Sequence, residues 1–149
     1  MTAERFKFVS AVHVFLLDGD RVLLLRRYNT GYADGQYSVI AGHLDGGETV
    51  EAAATREALE EVGVRLDPAA LSVVGVMHRR EEDERIDWFL SARGWVGEPQ
   101  NGEPSKCDEL RWAALDDLPD HVIPYVRRAL ANFRHGRWYD TCGWGDTEC

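Results

Sequence analysis

The sequence predicts an α/β fold, a mixed sheet held between helices. Three observations carry that reading. Aliphatic runs bounded by turn residues open the chain and return after residue 70, a run of good helix formers lies mid-chain, and apolar residues at near-helical spacing follow close to the C-terminus.

Phe6 to Leu17 reads as a strand with apolar positions on both faces. The turn Asp18-Gly19-Asp20 leads into a second strand, Arg21 to Arg27, which is nearly all aliphatic. Tyr28 to Gly35 is a turn-rich loop, and Gln36 to Ala41 is a short strand. From Glu48 to Val62 there is neither Pro nor Gly, so a helix is expected there, ended by Gly63, which takes φ > 0 without steric cost. Leu71 to Arg80 and Ile86 to Val96 read as a strand pair around the charged turn Glu81 to Glu84. Gly97 to Ser105 is a loop with two Pro, followed by a strand through Leu110 and Trp112. Leu115 to Leu118 reads as a short helical turn. Val122, Val126, Leu130 and Phe133 then mark an amphipathic helix with Pro124 in its first turn. Residues 1–137 form one domain in this reading, and residues 138–149 an irregular C-terminal tail.

A chain of 149 residues with 44% hydrophobic content is the size of one domain with a real core. No run approaches the ~20 apolar residues of a membrane span, and the first ten residues lack a signal-peptide apolar region. The expected location is therefore cytoplasmic. Cys107, Cys142 and Cys149 are odd in number and fit no C-x-x-C pattern, so reduced thiols are expected. A net charge of −9 argues against binding a nucleic-acid polymer. For an enzyme of anionic phosphates that charge is a puzzle, which bound cations would resolve. Arg26, Arg27, Arg79, Arg80 and Lys106 are candidates for holding phosphate oxygens.

The most informative stretch is Gly42 to Val64, GHLDGGETVEAAATREALEEVGV. A Gly-rich turn (Gly42, Gly46, Gly47) enters the helix. At roughly 100° per residue, Glu57, Glu60 and Glu61 share one arc, with Thr55, Ala58, Leu59 and Val62 around the opposite side. Carboxylates at i,i+3 and i,i+4 crowd one another, which destabilises the helix without a cation and supplies oxygen ligands with one.

Gly42, Glu48 and the run Arg56-Glu57-Ala58-Leu59-Glu60-Glu61-Val62-Gly63-Val64 fill every constrained position of the Nudix box, G-x5-E-x7-R-E-U-x-E-E-x-G-U, with U aliphatic. The sequence resembles the Nudix family over this box and, by its flanking strands, over nearly the whole chain. The resemblance implies the Nudix α/β/α sandwich with a mixed central sheet. It also implies hydrolysis of a nucleoside diphosphate-linked compound, with Mg²⁺, or Mn²⁺ in its place, as cofactor. Glu57, Glu60 and Glu61 would be metal ligands, with the Gly42 carbonyl beside them, and Glu48 and Arg56 would brace the loop against the helix. The general base comes either from the box, with Glu60 and Glu61 as its catalytic carboxylates, or from a later loop, where Glu103 leads and Glu98 follows. Where many Nudix sequences carry Pro two residues before the box Gly, this chain has Ile40.

Substrate choice lies outside the box. Asn29, Tyr32 and Tyr37, Asp87 and Trp88, and Asp120 and His121 are candidates to stack on a base or read its edge, with Arg27 on the phosphates. Turn capping and core packing are their plain alternatives. The partner expected is a small-molecule nucleotide, with neither nucleic-acid polymer nor membrane, and a homodimer is left open. Length and pattern favour a modified nucleoside triphosphate, with ADP-ribose and dinucleotides as alternatives in the same reaction class. Isopentenyl-diphosphate isomerases share the fold, but the intact carboxylate run and the placement of Cys107 argue against them. A catalytically silent sensor or interaction module would be expected to have lost a box carboxylate, and none is missing.

Overall fold

The computed structural model describes residues 3–145 and 148–149. The chain opens with β1 (Val9–Asp18), the longest strand and the one around which the rest is arranged. Both its faces are buried. Val12, Val14 and Leu16 enter a core shared with the helix α1 (Val50–Val62), while Phe15 and Leu17 enter a second core under the helix α2 (Pro124–Arg134). The strand β2 (Arg21–Arg27) repeats the division, with Leu23 and Leu25 on the α1 side and Val22 and Leu24 on the α2 side. Two apolar faces with a helix over each make the α/β/α sandwich the sequence implied.

The remaining strands are β3 (Tyr37–Ser38), β4 (Ile40–His43), β5 (Arg65–Leu66), β6 (Ser72–Arg80), β7 (Glu84–Ala92), β8 (Trp95–Val96), β9 (Cys107–Ala114) and β10 (Tyr139–Cys142). The main sheet runs β10-β6-β7-β1-β2-β3, with β4 also on β1 and β9 also on β2. It is mixed, because β1–β7 and β10–β6 are parallel and the other pairs antiparallel. One edge of β1 carries β7. The other carries β4 at Ala11–Val14 but β2 only at Leu17–Asp18, so β2 parts from β1 and leaves room between them.

The box helix ends at Gly63 as its sequence called for, and it begins at a Thr49 cap that the sequence reading had not singled out. Thr49 Oγ1 accepts from Ala52 N at 3.1 Å, and Gly63 has φ 71° with its N–H donating to the Leu59 carbonyl at 3.1 Å. Pro124 opens α2 at a position where its missing N–H costs nothing.

Several expectations need correction. The single strand Gln36 to Ala41 is two, because β3 pairs with β2 while β4 crosses to β1. Ile40, at the position where Pro is common, pairs with Val14 and is fully buried in the α1-side core. The second member of the strand pair ends at Ala92. Trp95–Val96 belongs to a separate two-stranded sheet with β5, whose two residues were too few to show a period. Leu115 to Leu118 is a turn and not a helix, closed by Asp117 N to Ala114 O and cut short by Pro119.

Residues 138–149 are not simply an irregular tail, since β10 pairs parallel to β6 from Tyr139 with Val76 to Cys142 with Arg79. Its Asp140 accepts from Arg128 and Asn132 of α2, a long-range anchor with no local signal. Asp146 and Thr147 of that segment lie outside the described residues. Cys142 and Cys149 are joined as a disulfide where reduced thiols were expected, with Cα atoms 5.0 Å apart; only Cys107 is free, and it is buried. The fold returns Cys149 to β10, a proximity that spacing does not reveal. Among the described residues no helix is long and apolar enough to cross a membrane.

Candidate active site

The room between β1 and β2 is a cleft of about 910 Å³, within the range of nucleotide-sized sites. Its floor includes Ala11 and His13 of β1, one wall Leu25, Arg26 and Arg27 of β2, and the other Ala41, Gly42 and the acidic residues of α1.

The sequence reading put Glu57, Glu60 and Glu61 opposite the apolar side of α1. The structure divides them. Ala53, Ala54, Ala58 and Val62 are buried, and Glu57 lies within that buried face while Leu59 is 47% exposed. Glu57 and Glu61 are turned inward against β4, Glu57 beside Gly42 and Glu61 at Ala41 N. Glycine makes this contact possible. A Cβ on Gly42 would coincide with the Glu57 carboxyl group. Burial pushes the Glu57 carboxyl up, against the opposing hydrogen bond from Arg56. Glu61 is pushed well up, again chiefly by burial, although Ala41 N donates to its Oε2 at 2.9 Å. Glu57 and Glu103 raise it further by repulsion. Glu60 is exposed.

Arg56 gathers the turn. Its Nη1 donates to Glu57 Oε1 at 2.7 Å, its Nη2 to Glu48 Oε1 at 2.8 Å, and its Nε to Glu48 Oε2 at 3.3 Å. Glu48 also accepts from Asp45 N, and the Arg56 hydrogen bonds hold its carboxyl below the usual range. One guanidinium thus links the turn before the helix to an acid inside it.

The loop Gly97 to Ser105 closes the far side. Gln100 N donates to the Val62 carbonyl and Gly102 N to the Glu61 carbonyl, satisfying two groups that the end of α1 leaves open. A Cβ on Gly102 would collide with the Glu60 carbonyl. Glu103 N is held by Asn101 Oδ1, and the Glu103 side chain lines the cleft with Lys106 Nζ 3.8 Å from its Oε2. Gly102 was missed in the sequence; nothing in a loop rich in turn residues distinguished it.

The cleft brings together Arg27, Asn29, Tyr32, Gly42, Glu57, Glu60, Glu61 and Glu103 of the sequence-predicted residues. Trp88 is not among them: its Nε1 donates to Ser10 Oγ, and it packs against the α1-side core. Asp120 is exposed outside the cleft. Tyr37 is buried with its hydroxyl on Glu109, and His121 gives its carbonyl to Tyr37 N. Of the basic candidates, Arg26 is held by Asp108 at 2.7 Å, and Arg80 lies over the Trp144 ring, outside the cleft. Arg79 is buried and paired to Asp87, so it is no exposed phosphate hook.

Among the described residues, no three His, Cys, Asp or Glu side chains form a ready-made metal cluster. The acids instead engage Arg56 and Ala41 N. The donor set nevertheless suits a hard divalent cation, being all oxygen, and the burial and mutual repulsion that push Glu57 and Glu61 up are what a cation would relieve.

The class so defined is an α/β/α sandwich with an acid-lined cleft where its central sheet divides. The sequence profile of the NUDIX domain matches residues 7–140, and the chain belongs to the Nudix family; it is a hydrolase of that family. It is 27% identical over 125 residues to the 8-oxo-dGTP diphosphatase of Escherichia coli strain K12, covering 82% of this chain and 95% of that one. It is 29% identical over 134 residues to the NAD-capped RNA hydrolase NudC of Stutzerimonas stutzeri strain A1501, covering 80% of this chain but only 40% of that longer protein. Among solved structures, the MutT NUDIX hydrolase from Burkholderia pseudomallei superposes with a TM-score of 0.78 at 27% identity, over 85% of this chain and 98% of that one.

Proposed function

We propose that the protein hydrolyses a modified nucleoside triphosphate to the monophosphate and pyrophosphate, by addition of water across a P–O–P bridge. The observation that carries this is the meeting of Glu57, Glu60, Glu61 and Glu103 with Arg26, Arg27 and Lys106 around one cleft. Similarity over 95% of a protein named 8-oxo-dGTP diphosphatase supports the triphosphate reading, the NAD-capped RNA hydrolase being matched over only 40% of its length. Glu57, Glu60 and Glu61, with the Gly42 carbonyl, would hold Mg²⁺ or Mn²⁺. When bound, the cation would neutralise diphosphate oxygens and activate water. Glu48 and Arg56 keep the turn and helix in register, Arg27 and Lys106 orient phosphate oxygens, and Glu103 takes the proton from the attacking water. The setting is a cytoplasmic nucleotide pool.

The test is product analysis with Mg²⁺ across normal and oxidised nucleoside triphosphates, ADP-ribose and dinucleotides. Pyrophosphate and a mononucleotide are expected from a triphosphate, with activity abolished by excess EDTA. Full turnover in EDTA, or hydrolysis of dinucleotides alone, would overturn the reading.

A further inference from the structure

Asn101 lies in the loop between β8 and β9, and its two chain neighbours are both fastened to the box helix. Gln100 N donates to the Val62 carbonyl at 2.9 Å, and Gly102 N donates to the Glu61 carbonyl at 2.8 Å. The approach at Gly102 is close. A Cβ there would lie 2.5 Å from the Glu60 carbonyl oxygen and 3.0 Å from that of Glu61, and both are backbone atoms that cannot swing aside. The Asn101 side chain reaches the other way. Its Nδ2 donates to the Cys107 carbonyl at 2.6 Å. Cys107 opens β9 in register with Arg27 of β2, and the neighbouring Lys106 carbonyl accepts from Tyr28 N. One short amide thus ties the β2–β9 wall of the cleft to a segment pinned on the helix that carries Glu57, Glu60 and Glu61.

The other atom of that amide goes to Glu103. Asn101 Oδ1 accepts from Glu103 N at 3.0 Å, while the Glu103 carbonyl accepts from Lys106 N at 2.8 Å and Cys107 N at 2.9 Å. Both backbone polar groups of Glu103 are therefore occupied, and the direction in which its side chain leaves the backbone is fixed. Among the described residues the carboxylate itself makes no hydrogen bond, and its ion-pair contact with Lys106 Nζ is loose at 3.8 Å. Its place in the cleft is set through its backbone. Asparagine suits the task because one planar group offers both a donor and an acceptor; aspartate lacks the donor and alanine lacks both.

We propose that Asn101 is the positioning residue for Glu103, its amide holding that carboxylate where it takes the proton from the attacking water. The inference rests on the reading of Glu103 as general base and applies to any nucleotide the enzyme turns over. Asn101→Ala removes both hydrogen bonds and no group of the cleft. We expect kcat to fall about tenfold or more, since a base displaced by part of an ångström loses reach and not charge. KM and Mg²⁺ affinity should stay within about twofold.

The decisive measurement is a double-variant cycle. In a Glu103→Gln background, Asn101→Ala should cost nothing further in kcat, because nothing is left to position; independent roles give losses that multiply. Asn101→Ser keeps a hydroxyl able to accept from Glu103 N, so it should recover part of the loss, and it serves in the same cycle if Asn101→Ala folds poorly. A Ser variant no better than Ala counts against the proposal. Multiplying losses, or a raised KM with kcat unchanged, would overturn it while Glu103→Gln alone still costs about 10²-fold and Glu103 stands as the base. A neutral Glu103→Gln would overturn the base assignment, and the proposal with it.

Discussion

The two ends of the cleft are built in opposite ways. The acidic end comes from one contiguous stretch, Gly42 to Glu61, with Glu103 arriving from a loop that hydrogen-bonds to the end of the same helix. The Arg79 end is assembled from β1, β6, β7 and α2, and its His13–Tyr125 contact joins residues 112 apart in sequence. At the first end burial and mutual repulsion push Glu57 and Glu61 up although Arg56 and Ala41 N donate to them, and at the second Arg79 is held between Asp87 and the Tyr125 ring. The first end is thus written largely within one stretch of sequence, and the second is made of contacts that exist only in the folded chain.

The largest effect should come from the acidic end. Glu61→Gln keeps an oxygen for Ala41 N but removes the charge, and turnover should fall about 10³-fold or more, the scale of losing a main electrostatic stabiliser. Because burial pushes the Glu61 carboxyl up, the neutral amide should leave the metal-free melting temperature unchanged or higher. Kinetics and thermal unfolding check both. Wild-type turnover would erase the distinction between the ends.

A smaller loss, about 10²-fold, is expected for Glu103→Gln if that loop carboxylate is the general base. Mg²⁺ affinity, read by titration calorimetry, should hardly change. A neutral result would return the base to the box and confine the acidic end to residues 42–61.

The smallest effect on catalysis belongs to a site at neither end. Asp140 is buried, and although burial pushes its carboxyl up, hydrogen bonds from Arg128, Asn132 and Thr141 N outweigh this and bring it down to about 2. A carboxyl with a depressed folded value stabilises the protein above its unfolded value near 4, and that contribution fades as pH falls toward 2. Asp140→Asn should cost about 2 kcal/mol at neutral pH, flatten the acid limb of the stability curve, and leave base preference intact. Denaturant melts between pH 2 and 7 would measure it.

What was legible in the sequence follows the same division. The box helix and its Gly63 end were readable because each depends on residues a few positions apart, and the linkage of Glu48 to Arg56 was implied by the resemblance to the Nudix box. Asp87 reads from the sequence as a candidate base contact and Arg79 as a candidate for holding phosphate oxygens, not as partners of each other. Nothing local says that β6 and β7 place them 2.7 Å apart beneath Tyr125. Trp88, one residue from Asp87, points to the other face of the sheet, so nearness in sequence misassigned it. The strand β10 was missed for a related reason. Its four residues gain their partners from β6 and α2 and carry no alternation strong enough to stand alone.

The parallel pairing of β1 with β7 also sets an order in time. Val12 meets Gly42 after 30 residues of chain but Trp88 only after 76, and the wider loop is slower to close. As the chain emerges, β1, β4 and α1 are all present before β6 and β7, and β7 later adds Leu90 and Ala92 to the α1-side core. A nascent chain paused between these two points would hold Glu57, Glu60 and Glu61 but neither Glu103 nor the β6–β7 side of the cleft.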